Sequence, residues 1–161
     1  MSIIDYLPAI PKSYWKYFEK TITPTNPLTL APYEEDTTLF QSIENRAGIV
    51  KLLTLQSNSP NLEFSLVTDT QTVTTTISTL IDVGYTGYYI PDIPWLSIAN
   101  SSTNLYVLNL IANIPFSKNV YAYVTNISDT PVKINAMGFL AIIFEPGFYE
   151  ALANVMAGKP I

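Results

Sequence analysis

The sequence predicts an all-β protein, an antiparallel β-sandwich or jelly roll, with an extended N-terminal arm containing a short helix and a short C-terminal helix. Three observations predict it. Apolar and polar residues alternate with period two in short stretches such as Leu62-Glu63-Phe64-Ser65-Leu66 and Val120-Tyr121-Ala122-Tyr123-Val124. Runs of β-branched residues, Thr72-Val73-Thr74-Thr75-Thr76-Ile77 above all, favour pleated backbone. Turn residues at Ser59-Pro60-Asn61, Asp69-Thr70-Gln71 and Ser128-Asp129-Thr130-Pro131 punctuate these runs at strand spacing.

Residues 1–47 mix prolines, aromatics and charges, and read as an arm. Within it, Pro11 to Lys20 predicts two or three helical turns, with proline near the start, where its missing N–H costs least. Tyr14, Trp15 and Phe18 would share one face of that helix, and Lys12, Lys16 and Lys20 would form its solvated edge. The prolines at 24, 27 and 32 then predict an extended linker.

The body, residues 48–145, supplies six or seven strands. The first covers 49–56, the second starts at Leu62, and the third is the threonine run from Thr72 to Ile77. Leu105 to Ile111 and Val120 to Ile127 follow, then Val132 to Ala136, and 139–144 reads as a strand buried on both faces. The tail, residues 146–161, carries a short helix from Phe148 to Ala157 with Gly158 as its C-cap. Deleting residues 1–40 would, on this reading, leave a folded sandwich.

Composition removes many functions. The chain has no histidine and no cysteine among its 161 residues, so the usual proton shuttle, the most readily activated nucleophile and the common zinc ligands are missing. No enzyme activity, metal or cofactor is expected. A net charge of -5 with scattered basic residues argues against direct nucleic-acid binding. The longest apolar stretch, Ala136 to Phe144, is about half of what a membrane-spanning helix needs, so no membrane insertion is expected, and no secretion leader is visible. Seven carboxylates, Glu34, Glu35, Asp36, Glu63, Asp69, Asp82 and Asp92, are available for paired acid–base work, but nothing in their spacing places two across a cleft. Glu34-Glu35-Asp36 lacks the spacing of a calcium loop and reads as solvated linker. The glycosylation patterns at Asn100 and Asn126 are of a kind that chance supplies in a chain rich in Asn and Ser.

Two features point toward association. Between Ala47 and Phe144 the charged residues are Lys51, Glu63, Asp69, Asp82, Asp92, Lys118, Asp129 and Lys133, far below the usual quarter of a soluble domain. Interface cores are similarly poor in charge and rich in Tyr, Trp and Phe. The segment from Tyr85 to Trp95 is too long for a tight hairpin, and Tyr85, Tyr88, Tyr89 and Trp95 could pack at one end of the core, bury area at a subunit interface or stack on sugar rings. With Tyr14, Trp15 and Phe18 of the arm, these four are the candidate interface residues.

The succession Asn61 to Asp69, Asn104-Leu105-Tyr106-Val107, Ile114-Pro115-Phe116-Ser117-Lys118-Asn119 and Tyr123 to Ile134 resembles the β-sandwich structural proteins of bacteriophages and archaeal viruses, over roughly residues 48–144. The resemblance implies a capsid, vertex, collar or tail subunit, located in the virion and assembled in the host cytoplasm. Its partners would be copies of itself and other virion proteins, with the arm reaching onto a neighbour. The alternative is a carbohydrate-binding or adhesive module whose aromatic loop takes a glycan.

Overall fold

The computed structural model describes residues 2–36, 43–83, 95–100 and 103–161. Among these described residues, eleven strands form two antiparallel sheets. In the first, β1 (Trp15–Ile22) and β2 (Leu28–Leu30) lie end to end along one edge of β11 (Val132–Phe144); β5 (Gly48–Ser57), β9 (Leu105–Phe116) and β8 (Trp95–Asn100) continue outward. In the second, β3 (Glu35–Asp36) and β4 (Ile43–Glu44) share one edge of β10 (Asn119–Asn126), followed by β6 (Leu62–Thr68) and β7 (Thr72–Thr76). With β1/β2 and β3/β4 each taken as one row and β8 as an added edge, eight rows run 1-8-3-6 in one sheet and 2-7-4-5 in the other. That order is a jelly roll, two Greek keys folded face to face.

Alternation places the core. Leu62, Phe64 and Leu66 on β6, Val120, Ala122 and Val124 on β10, and Leu53 and Leu55 on β5 all point into one buried cluster between the sheets. The third strand ends one residue sooner than the sequence predicts. Thr76 accepts the amide of Thr79 at its hydroxyl and caps helix α2 (Ile77–Asp82), whose Ile77 and Leu80 enter the same core.

A second apolar cluster lies on the outer face of the first sheet. Ile49, Ile142 and Phe144 project there and are covered by α1 (Ile3–Tyr6), the tight turn at Leu7–Ala9 and α3 (Phe148–Met156), which contribute Leu7, Ile10, Phe148, Ala151 and Leu152. This layer accounts for the double-sided burial of the last part of β11. Helix α3 ends as the sequence predicts: the Gly158 amide, at φ +68°, bonds to Val155 O and the Lys159 amide to Asn154 O, the two bonds of a Schellman motif.

The predicted arm helix over 11–20 is the main correction. Lys12–Tyr14 makes one tight turn, and Trp15 onward is strand β1, paired with β11 from Phe144 to Met137. The stretch carries aromatic and β-branched residues that suit a strand, and the apolar edge of β11 offers a ladder no isolated short helix can match. Trp15 therefore faces the helical layer while Phe18 and Ile22 face the inter-sheet core. Residues predicted as a separate arm and linker thus form the outer rows of both sheets.

Candidate interaction surfaces

Two polar clasps hold the loops at the ends of these strands. The Asp69 carboxylate, in the β6–β7 turn, accepts bonds from the Ser117 hydroxyl and from the amides of Ser117 (3.0 Å), Lys118 (3.1 Å) and Asn119 (3.3 Å), which joins that turn to the β9–β10 turn. The Ser117 hydroxyl, with the three amides, holds its carboxyl well below the usual carboxylate range. Glu145, just past β11, pairs with Lys16 of β1 and Arg46 before β5, each at 2.9 Å. Lys16 first and Arg46 second hold its carboxyl low. Both carboxylates are occupied by structural partners, as is Glu34, whose side chain accepts the Ala31 amide at 2.6 Å.

An open groove of about 480 Å³ borders the second clasp, lined by Arg46, Phe144, Glu145, Pro146 and Tyr149 among others. Of its two acids, Glu145 is already engaged by Lys16 and Arg46, and Glu150 stands in the first turn of α3. Among the described residues no group of three or more Asp or Glu is placed to hold a metal ion. Asn126 is fully buried, its amide donating to Ala31 O and Thr130 O and its oxygen accepting the Ser128 amide, so its glycosylation pattern is inaccessible in the folded chain.

The arm aromatics are divided between two faces. Trp15 is 6 % exposed and donates its indole N–H to Ile10 O at 3.0 Å. Tyr14 is half-buried against the helical layer, its ring 3.2 Å from where a side chain at Gly147 would start. Phe18 is half-buried and meets Phe139 edge to face at 6.2 Å. Trp95 opens β8, paired with Leu110; Tyr85, Tyr88 and Tyr89 lie outside the described residues.

A surface the sequence reading passed over is the outer face of the second sheet. Register sets Tyr121 beside Val67 and Thr72, and Tyr123 beside Ser65 and Thr74, with Tyr121 exposed. The alternation Tyr121, Tyr123, Thr125 was the available signal. Charge is also polarised across the sandwich. The flank built by β1 to β4 and their connections carries Lys16, Glu19, Lys20, Glu34, Glu35, Glu44 and Arg46. The opposite flank, where α2 lies against β6, β7, β8 and β9, is sparser in charge, with Glu63 on β6, Asp69 in the β6–β7 turn and Asp82 among its described residues.

No protein-family model matches the chain, and no curated protein sequence matches it.

Proposed function

We propose that the protein is a virion structural subunit, a capsid, vertex, collar or tail component that assembles with copies of itself and with other virion proteins. The observation that carries this reading is the jelly roll with one charged flank and one sparsely charged flank. Jelly rolls serve viral shells among other uses, and a flank of strands so poor in charge suits cover by a neighbour better than permanent exposure. The resemblance of residues 48–144 to phage and archaeal-virus sandwich proteins supports the same reading.

Assembly on this reading uses the sandwich itself, because the first 30 residues are committed to their own sheet and helical layer. Light scattering on the purified chain across a concentration series tests it. A discrete oligomer, as closed symmetry demands, is the expected result. A monomer at every concentration that also binds glycans would replace the reading with the carbohydrate-binding alternative.

A further inference from the structure

We infer that the free edge of β7 is the self-association site, and that it pairs antiparallel with β7 of a second copy. The inference rests on the self-assembling reading above and names its contact.

The turn before β7 fixes which backbone groups are free. Thr68 donates its amide to Gln71 O at 2.8 Å, so 68 and 71 are a hydrogen-bonded pair. Pairs in an antiparallel ladder alternate, so Val73 and Thr75 bond to β6, while the N–H and C=O of Thr72 and Thr74 point away from it. Among the described residues β7 pairs with β6 alone.

Such an edge is normally blunted by charge, proline or a bulge. Of the other described edges, β1 carries Lys16, Glu19 and Lys20 and β3 consists of Glu35 and Asp36, whereas β2 and β8 carry no charge, β2 being three residues long and β8 lying against α2. Edge β7 reads Thr-Val-Thr-Thr-Thr, with no charge, no proline and no register shift against β6.

The chemistry selects a second copy as occupant. Self-pairing about Thr74 sets Thr74 opposite Thr74, Thr72 opposite Thr76 and Val73 opposite Thr75, which are favourable hydroxyl and β-branched pairs with no like charges opposed. The same operation on β3 would juxtapose acids. Centred on Thr74, the pairing exchanges two main-chain bonds between the two Thr74 residues, sets the outward Thr72 groups against Thr76 of the other copy, and extends the tyrosine face of each second sheet into one continuous surface, an isologous contact.

The test compares wild type with Thr74→Pro, which removes the outward N–H without touching the β6 ladder, and Thr74→Lys, which places two charges at the axis. Thr29→Lys, at the exposed position of β2, is the control. Light scattering should show self-association weakened about tenfold or more in both Thr74 variants, two main-chain bonds being lost or opposed, and unchanged in Thr29→Lys. Hydrogen exchange on the wild type should show the Thr72 and Thr74 amides protected when assembled and unprotected on dilution; this decides the matter if Thr74→Pro fails to fold. Undiminished assembly in Thr74→Lys with an unprotected Thr74 amide overturns the β7 contact and leaves self-assembly standing. A wild type that is monomeric throughout overturns both.

Discussion

The ring of Phe144 lies parallel to that of Phe148, with 3.8 Å between centroids and 2° between planes, and the pair fastens the end of β11 to the start of α3. Direct face-to-face stacking is not the preferred geometry of two rings, and here Tyr149 supplies the favourable arrangement, meeting Phe144 at 5.8 Å and Phe148 at 5.6 Å edge to face. Phe148 is 1 % exposed. Phe148→Ala should cost about 3–5 kcal/mol and loosen α3 from Ile49 and Ile142, read as a lowered urea midpoint.

Two glycines in neighbouring strands should respond oppositely to alanine. A methyl at Gly48 would start 2.1 Å from Ile142 O and 2.7 Å from the Phe116 ring, both central to the first sheet. Gly48→Ala should destabilise by about 1–3 kcal/mol, since backbone must move. At Gly138 the nearest atom is the Thr54 methyl at 3.6 Å, an ordinary contact. Gly138→Ala should be neutral or stabilising by up to about 1 kcal/mol, because it restricts the unfolded chain. Thermal unfolding of both variants checks the pair.

Acid should weaken the fold through its two clasps. Glu145 is held below its ordinary value of 4.5 by Lys16 and then Arg46, and Asp69 is held low first by Ser117. The folded chain therefore binds fewer protons at these sites than the unfolded chain does. Their stabilisation is complete above about pH 4.5 and is lost as the pH falls through the lowered folded values. Glu145→Gln and Asp69→Asn should each reduce stability at neutral pH and flatten the acid limb of an unfolding series.

Removing residues 1–40 should abolish folding rather than assembly alone, contrary to what the sequence predicts. The deletion takes β1, β2 and β3 together with the buried Leu7, Ile10, Trp15 and Leu30. Four such losses amount to on the order of 10 kcal/mol, the whole margin of an ordinary domain. Circular dichroism of the truncated chain gives the answer, with a cooperative β-rich melt as the result that would contradict it.

The inward residues of β6 and β10 were legible because each strand has one wet face, and period two then writes itself into the sequence. The last part of β11 was legible for the opposite reason: helices cover its outer face, so its apolar run is continuous. Strand β1 was not, since Lys16 and Lys20 fit a helical edge as well as a strand edge, and what decides between them is β11, more than 100 residues away in sequence. Helix α2 hid inside a β-branched run, although Thr76 three residues before Thr79 was a visible cap. Among the candidate site residues, the aromatic types were readable but their partners were not. Trp15 reads as an interface residue because it is aromatic, and that same large apolar ring is buried by the helical layer.

The pairing of β1 with β11 also governs how the chain acquires its shape. Trp15 meets Phe144 across a ladder whose two strands are made more than 100 residues apart. Until β11 leaves the ribosome, the first sheet lacks its second row, β1 has no strand to pair with and β5 has only β9 beside it. Contacts so distant in sequence belong to folds that form in milliseconds to seconds. A nascent chain of this kind spends that interval exposed to neighbours emerging from the same message, where early pairing with another copy competes with correct closure.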